Sequence, residues 1–499
     1  MNCFRDAKDD RVLRRLSPIE TFQSEGHLLN IYVGCAISCR YRIPNSVQTE
    51  EADLTLEGRI EQAIAASIIQ HPLFTAGRIN EGKKKQYWVR LELLNLNGHV
   101  KWRNVSKDEN YATALNDAFL WEVNEPYRDL ESQPQWRVTA VKPATNDFVD
   151  VIFAWDHTVA DGKSGRIFHD SLLACLNNES DGLNRVASKY GSFKVPVTDF
   201  TPPLHHMIKF PVSINYAVSV LGKELMTDKK APPHNAKWAP IKLEPLETRL
   251  KSITVSKDAL KPVLDTCRQH DTTLTGLLHA LISVSMATRL SEEKAPAFST
   301  GTPICLRQFQ QPGTSKFDLN KTAINGVVYW PYVFKQDIVT ILRKQINDAK
   351  GDRELNKPLE DTVWSIAKSI REGLTAKLKL GTKNDSIGLA KFITDWNAYL
   401  MDHSTKREHS WEVSNLGVMN GRASKDVDKW MVEDATFTQS ASVTGPALTF
   451  SVISVKGGGL NMSCSWQVGV VENELAEGVS EDVEMWLNEL GQNGFVEFM

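Results

Sequence analysis

A mixed α/β fold in two units is what the sequence predicts. Three observations carry this expectation. Strand-like and helix-like patterns alternate in both halves, a proline-rich stretch separates them, and 499 residues exceed the size at which one hydrophobic core keeps growing. The expected boundaries are an N-terminal unit over 1–210, a connection over 211–245 and a C-terminal unit over 246–499. A hydrophobic share of 41% and a charged share of 24% are ordinary for a globular chain and argue against disorder. The formal net charge of −3 gives no global attraction to nucleic acid or anionic lipid, so neither is expected as a partner.

The first helix is expected at "LSPIETF", where Ser17 caps, Pro18 fits the first turn and Glu20 completes a capping box. "LLNIYVGCAISCRYRI" (28–43) reads as a buried strand. A helix follows near 54–70, with Leu56, Ile60, Ala63, Ile64 and Ile68 at helical spacing, and "HPLF" ends it. From Gln86 to Ala154 strands alternate with polar turns, closing in a hairpin of "QWRVTAV" and "DFVDVIFAW" across "KPATN". A helix from about Lys163 to Asn177 comes next.

Prolines at 196, 202, 203, 211, 232, 233, 240 and 245 then break any long element, leaving room for a short helix near 212–225. The pattern restarts with the strand "RLKSITV", a helix from Ser256 to about Gln269 and "DTTLTGLLHALISVSMATRL", which is apolar on most sides and expected to be buried. Later strands are expected at "AFSTGTPICL", "SWEVSNLG", "LTFSVISVKG" and "LNMSCSWQVGVV", and a helix at "VSEDVEMWLNEL".

Seven scattered cysteines, with no CxxC pair, suggest reduced thiols in a cytoplasmic protein rather than a disulfide scaffold. No apolar run of spanning length and no signal-like start appear, so no transmembrane segment is expected. Several familiar motifs fail. "ADGKSG" has His157 where a P-loop requires its first glycine, and "DGKSGR" has Arg166 where G-x-S-x-G requires its last. "KGGGL" looks like a tight hairpin turn. His205 and His206 have no third ligand nearby, so no metal is expected.

What survives is "FAWDHTVADGKSG", Phe153 to Gly165. It admits a bland account in which Asp161 caps the next helix and His157 is a satisfied turn residue. Its context favours chemistry. An apolar strand holds the histidine, Gly162 permits a turn that other residues resist, and imidazole, with a pKa near ~6.5, exchanges protons at neutral pH. No serine or cysteine sits in a nucleophile context. Direct attack by a substrate hydroxyl or amine is therefore expected over a covalent acyl-enzyme.

"HTVADG" resembles the HxxxD(G) motif of the CoA-dependent acyltransferases, a superfamily that includes chloramphenicol acetyltransferase, the plant BAHD enzymes and condensation domains. More closely, the chain resembles the fungal alcohol acetyltransferase family. The resemblance extends from "RRLSPIETF", "IIQHPLF" and "WDHTVADGKSG" to "TTLTGLLHAL", "TPICLRQF", "VSNLG" and "KGGGLNMSCSWQ". It implies two chloramphenicol-acetyltransferase-like domains with a tunnel between them, acetyl-CoA as co-substrate, an alcohol acceptor and a monomer. His157 would deprotonate the acceptor. Asp161 would hold the loop through an ion pair, with Arg307 of "CLRQF" as the candidate partner. Ser414 and Asn415 of "SNLG" would line the tunnel or stabilise the oxyanion. The DFGWG sequence of the plant enzymes is missing, so their substrate rules do not carry over. Thr438, Ser440 and Ser442 are read either as tunnel-lining residues or, for several of them, as exposed loop residues, and Asp156 as structural or acceptor-facing. Two alternatives stand beside this reading: a condensation-type or cyclising enzyme that works without CoA, and a non-catalytic binding protein.

Overall fold

The strand Phe148–Trp155 occupies the middle of a five-stranded sheet. It is buried from Val149 to Trp155, the pattern of a strand covered on both faces. Antiparallel neighbours flank it, Cys35–Arg42 on one side and Trp136–Pro143 on the other. Val100–Val105 adds parallel to Trp136–Pro143. The far edge is Met431–Gln439, antiparallel to Cys35–Arg42, so a strand from the distal half completes the sheet of the proximal half. The structure, a computed structural model, describes residues 9–49, 55–145, 147–177, 191–225, 232–349, 353–403, 405–422, 428–494, 496 and 498.

A six-stranded sheet forms the other lobe, in the order Thr248–Val255, Leu460–Gln467, Leu448–Val455, Trp411–Met419, Phe298–Cys305, Val327–Phe334. One face is apolar. Phe450, Val452, Met462, Cys464, Trp411 and Val413 pack with the helix Leu274–Arg289 in a common core. As predicted, that helix is buried continuously from Gly276 to Ala287. The opposite face carries Glu412, Ser414, Thr449, Ser451, Ser463 and Ser465, all buried, as the alternation of side chains along a strand requires. The edge strand Met431–Gln439 lies against this polar face. The Ser463 hydroxyl donates to the Phe437 carbonyl (2.9 Å), and the Asn461 amide donates to the Ala435 carbonyl (2.8 Å).

Local signals in the sequence were reliable where a cap or a tight turn marked them. Ser17 and Glu20 form the expected capping box at the helix Pro18–Leu28. The hairpins across "KPATN" and "KGGGL" are both antiparallel. The stretch from Gln86 to Ala154 is a correction, because it contains the helix Tyr111–Asn124, capped by Asn110. Beyond the expected elements, the strand Val327–Phe334 and the long helix Arg353–Leu380 complete the second lobe. The polar character of that helix, which packs along Leu274–Arg289, hides it from a search for apolar strands. All six cysteines among the described residues are free, and no helix among them is long and apolar enough to cross a membrane.

Arg407 is buried and, among the described residues, pairs with no acidic side chain. Its guanidinium donates to the carbonyls of Ala239 (2.9 Å), Ser442 (2.9 Å), Val443 (2.8 Å), Gly445 (2.7 Å) and Pro446 (3.2 Å). Burial pushes its pKa down to about 10, which leaves it charged at neutral pH. Arg407→Met keeps the aliphatic stem and strands those acceptors, at about 1–3 kcal/mol for each one left dry. The expected result in urea denaturation is a loss of more than about 3 kcal/mol, with partial recovery in Arg407→Lys.

Candidate active site

The central strand ends at Trp155, and the next five residues are fixed on every side. Asp156 N–H donates to the Gln135 carbonyl (3.0 Å), and its carboxylate accepts from Thr158 N–H (2.6 Å) and pairs with Arg78 (3.3 Å). Burial raises the Asp156 pKa, but the neighbouring positive charge, led by Arg78, and the hydrogen bonds from Thr158 together hold it below the usual range. Asp156 is thus a structural anchor. The indole N–H of Trp155 donates to the Ala160 carbonyl (2.9 Å), and Asn325 donates its side-chain N–H to the carbonyl of His157 (2.7 Å). Asn325 comes from the distal half of the chain.

Within this frame His157 is half-buried, and its Nδ1 is buried without a hydrogen-bond partner. The ring of Tyr32 lies 5.9 Å away, centroid to centroid. Burial lowers the imidazole pKa below its ordinary value, opposed in part by the charge of Asp161. At neutral pH the ring is therefore an uncharged base.

Asp161 does not bond to that ring. Its Oδ1 accepts from Ser164 N–H (2.9 Å) and lies 2.9 Å from the Ser164 hydroxyl, so it caps the helix Gly162–Asn177. Its Oδ2 accepts from Arg307 Nη1 (2.6 Å) and Gly326 N–H (2.9 Å). Arg307 donates further to the Leu319 carbonyl (2.8 Å) and the Ser164 hydroxyl (2.7 Å). Burial pushes the Asp161 pKa up, but the guanidinium outweighs it and keeps the carboxyl ionised. Capping and ion pairing, alternatives in the sequence, are two ends of one side chain.

Gly162 has a different reason from the one expected. Its φ is not positive, so the turn itself does not need glycine. A Cβ there would stand 2.7 Å from Leu416 Cδ2 and 3.4 Å from the ring of Phe437. The demand is for close packing of the helix start against the "SNLG" strand. That strand bulges between Asn415 and Val418, with Gly417 at φ +72°. Arg166 of the histidine helix donates to the carbonyls of Leu416 and Val418 across the bulge.

Ser414 and Asn415 are assigned different places. Ser414 lies on the polar face of the six-stranded sheet, opposite Ser451 in the register. Asn415 is occupied locally. It donates to the Thr275 hydroxyl (3.1 Å) and accepts from Gly417 N–H (2.8 Å). Thr438 and Ser440 are fully buried, which rules out exposed loop positions for both. Ser440 accepts from the N–H groups of Val33 and Gly34 (3.0 and 3.3 Å).

Sequence reasoning missed Asn325, Ser164, Tyr32 and the polar sheet face. Only the last had a readable signal, the alternation of Ser and Thr in "LTFSVISV" and "LNMSCSWQ". A separate cavity of about 660 Å³ opens beside the first helix, lined by residues such as Arg15, Lys84, His206, Lys391 and Trp396; none of the loop residues line it. Among the described residues no group of three or more His, Cys, Asp or Glu side chains could hold a metal ion.

Two mixed sheets, joined over a histidine loop, make the two-lobed fold shared by acetyltransferases and condensation domains. The chain belongs to the alcohol acetyltransferase family, whose model matches residues 101–477. It is similar to the probable alcohol acetyltransferase FCK4 of Fusarium pseudograminearum, with 26% identity over 97% of this chain and 96% of that one. Among solved structures it is similar to the TRI3 trichothecene 15-O-acetyltransferase of Fusarium sporotrichioides, with TM-score 0.66, 12% identity and 94% of each chain covered. It is also similar to the first condensation domain of the calcium-dependent antibiotic synthetase, with TM-score 0.62, 11% identity and coverage of 97% and 99%. Acyl transfer is the class of activity that membership supports.

Removing one member of a dry ion pair leaves an uncompensated charge, at a cost of about 3–5 kcal/mol. Arg307→Ala is expected to lose that much stability in urea denaturation. The double variant Asp161→Asn, Arg307→Met is expected to lose less than the two single changes summed. Additive losses would show that the pair is not coupled.

Proposed function

We propose that this protein transfers an acetyl or other short acyl group from acyl-CoA to the hydroxyl of a small-molecule alcohol, with His157 as general base. The observation that carries the reading is a half-buried histidine, its Nδ1 without a hydrogen-bond partner, on a loop that both halves of the chain hold. In the proposed step the acceptor O–H proton passes to the imidazole as the oxygen attacks the thioester carbonyl carbon. The carbon–sulfur bond of the tetrahedral intermediate then breaks, and the proton returns to the thiolate as free CoA thiol. Asp161 and Arg307 position the loop and touch no reacting atom. Ser414, on the polar face, is the candidate donor to the oxyanion, a role whose loss elsewhere costs about 10²–10³ in rate. Asn415 is already engaged by Thr275 and Gly417.

Fold likeness to a condensation domain supports a second reading, in which a carrier-bound acyl donor replaces CoA. Calorimetric titration with CoA separates the two, since only the first requires a CoA site. The retained histidine speaks against a purely non-catalytic binding protein.

Release of CoA thiol from acetyl-CoA is expected with at least one member of a broad alcohol panel, and His157→Ala should reduce it by about 10²-fold or more. Thermal unfolding should be nearly unchanged, because Nδ1 makes no hydrogen bond. Because burial lowers the histidine pKa, kcat/KM should rise with pH along a limb centred below about 6.5 and stay flat through neutrality. Unaltered turnover in His157→Ala would exclude His157 as the base.

A further inference from the structure

Ahead of the strand Thr248–Val255 the chain forms the helix Ile214–Leu225, capped by Ser213, whose hydroxyl accepts from Tyr216 N–H (3.3 Å). Ile214, Val218 and Leu221 fall at positions i, i+4 and i+7 of this helix, so they form a single apolar stripe. In a globular chain such a stripe faces the core. Here it faces outward, with Ile214 82% exposed, Val218 62% and Leu221 58%. Among the described residues no side chain of this helix belongs to any hydrophobic core of the molecule. The stripe is unpartnered within the chain.

A second stretch of surface is tied to the start of that helix. The Thr382 hydroxyl donates to the Lys209 carbonyl (2.6 Å), Asn384 N–H donates to the Pro211 carbonyl (2.8 Å), and Ser213 N–H donates to the Asn384 side-chain oxygen (2.9 Å). Val212 packs so closely on Gly388 that a Cβ there would stand 2.5 Å from its Cγ2. This stretch also leaves apolar side chains in the open: Leu380 at the end of the helix Arg353–Leu380, and Phe392, 68% exposed. Its charge has one sign. Lys209, Lys379, Lys383 and Lys391 are exposed, and none of them pairs with an acidic side chain among the described residues. Asp385, the carboxylate in their midst, is buried and already paired with Lys377 (2.7 Å). The Lys391 ammonium lies over the Phe392 ring, 5.1 Å from its centroid. The region is therefore apolar and locally positive, although the whole chain has a formal net charge of −3.

Exposed apolar side chains scattered singly need no explanation, but a helical stripe beside unpaired lysines is the pattern of a helix that lies in a membrane interface. The lysines decide the occupant, because their free charge complements anionic headgroups. We propose that this face docks on an anionic bilayer surface. Ile214, Val218 and Leu221 enter the boundary between headgroups and acyl chains, and Lys209, Lys379, Lys383 and Lys391 meet the lipid anions. The helix lies in the plane of the bilayer and does not cross it, in keeping with its twelve residues. Docking of this kind is independent of the acyltransfer reading.

The full chain is sedimented with phosphatidylcholine vesicles, with and without phosphatidylserine, at low and at high salt. The wild-type protein should bind the phosphatidylserine vesicles about 10-fold or more tightly than phosphatidylcholine alone, and high salt should remove that preference. The triple variant Ile214→Gln, Val218→Gln, Leu221→Gln keeps good helix formers and should bind at least about 10-fold more weakly. Its thermal midpoint should be unchanged, because these side chains belong to no core. The quadruple variant Lys209→Gln, Lys379→Gln, Lys383→Gln, Lys391→Gln should lose the phosphatidylserine preference, and it decides the matter if the triple variant fails to fold. A wild-type protein that sediments with neither vesicle overturns the proposal. So does undiminished binding by the folded triple variant, or a preference that survives in the quadruple variant. Self-association that the triple variant abolishes, in a protein that ignores vesicles, would assign the face to a second copy of the chain and overturn the membrane reading.

Discussion

A carboxylate and a guanidinium, both withdrawn from water, set the position of everything around His157. The ion pair of Asp161 and Arg307 spans 146 residues of chain and is dry on both sides. Such a pair is tolerable only when the remaining donors and acceptors are satisfied. Here Ser164, Gly326, Leu319 and the Ser164 hydroxyl complete the set. The pair adds little net stability over an apolar replacement, but it admits one geometry. Asn325, next to the Gly326 amide, then holds the carbonyl of His157 itself.

The same segment explains why the two lobes cannot be considered separately. Residues 305–326 leave one sheet and grip the loop that leaves the other. The strand Met431–Gln439 belongs by its backbone ladder to the five-stranded sheet, and it is tied to the six-stranded one by hydrogen bonds from Ser463 to the Phe437 carbonyl and from Gln439 to Ser451. Arg166 and Gly162 close the contact from the helix side, one by bonding across the bulge and the other by leaving room for Leu416. Under the proposed general-base role, which depends on distances of a few tenths of an ångström, this rigidity would serve the chemistry.

The polar interior face follows from the strand alternation and from burial acting together. Ser, Thr and Glu side chains line one face of a sheet whose other face is packed with Trp, Phe and Val. An interior of that kind costs desolvation unless ligands or water satisfy it. Part of that cost is met by the edge strand Met431–Gln439, whose Phe437 and Ala435 carbonyls accept from Ser463 and Asn461 and whose Gln439 side chain donates to Ser451.

By itself the sequence determined the local features: the capping box at Ser17, the hairpin that presents His157, the helix that follows it, and the family likeness of the HTVADG segment. These depend on neighbours within a few residues, where spacing and residue type act directly on backbone geometry. It also pointed to Arg307, through resemblance rather than through any local signal. Only the tertiary structure decided that Asp161 both caps and pairs, that Gly162 serves packing rather than a turn, and that Asn415 is occupied while Ser414 is not. It alone placed Tyr32 and Asn325 beside His157. The physical reason is that desolvation, steric contact and hydrogen-bond satisfaction arise between residues hundreds of positions apart, and sequence spacing carries no record of them.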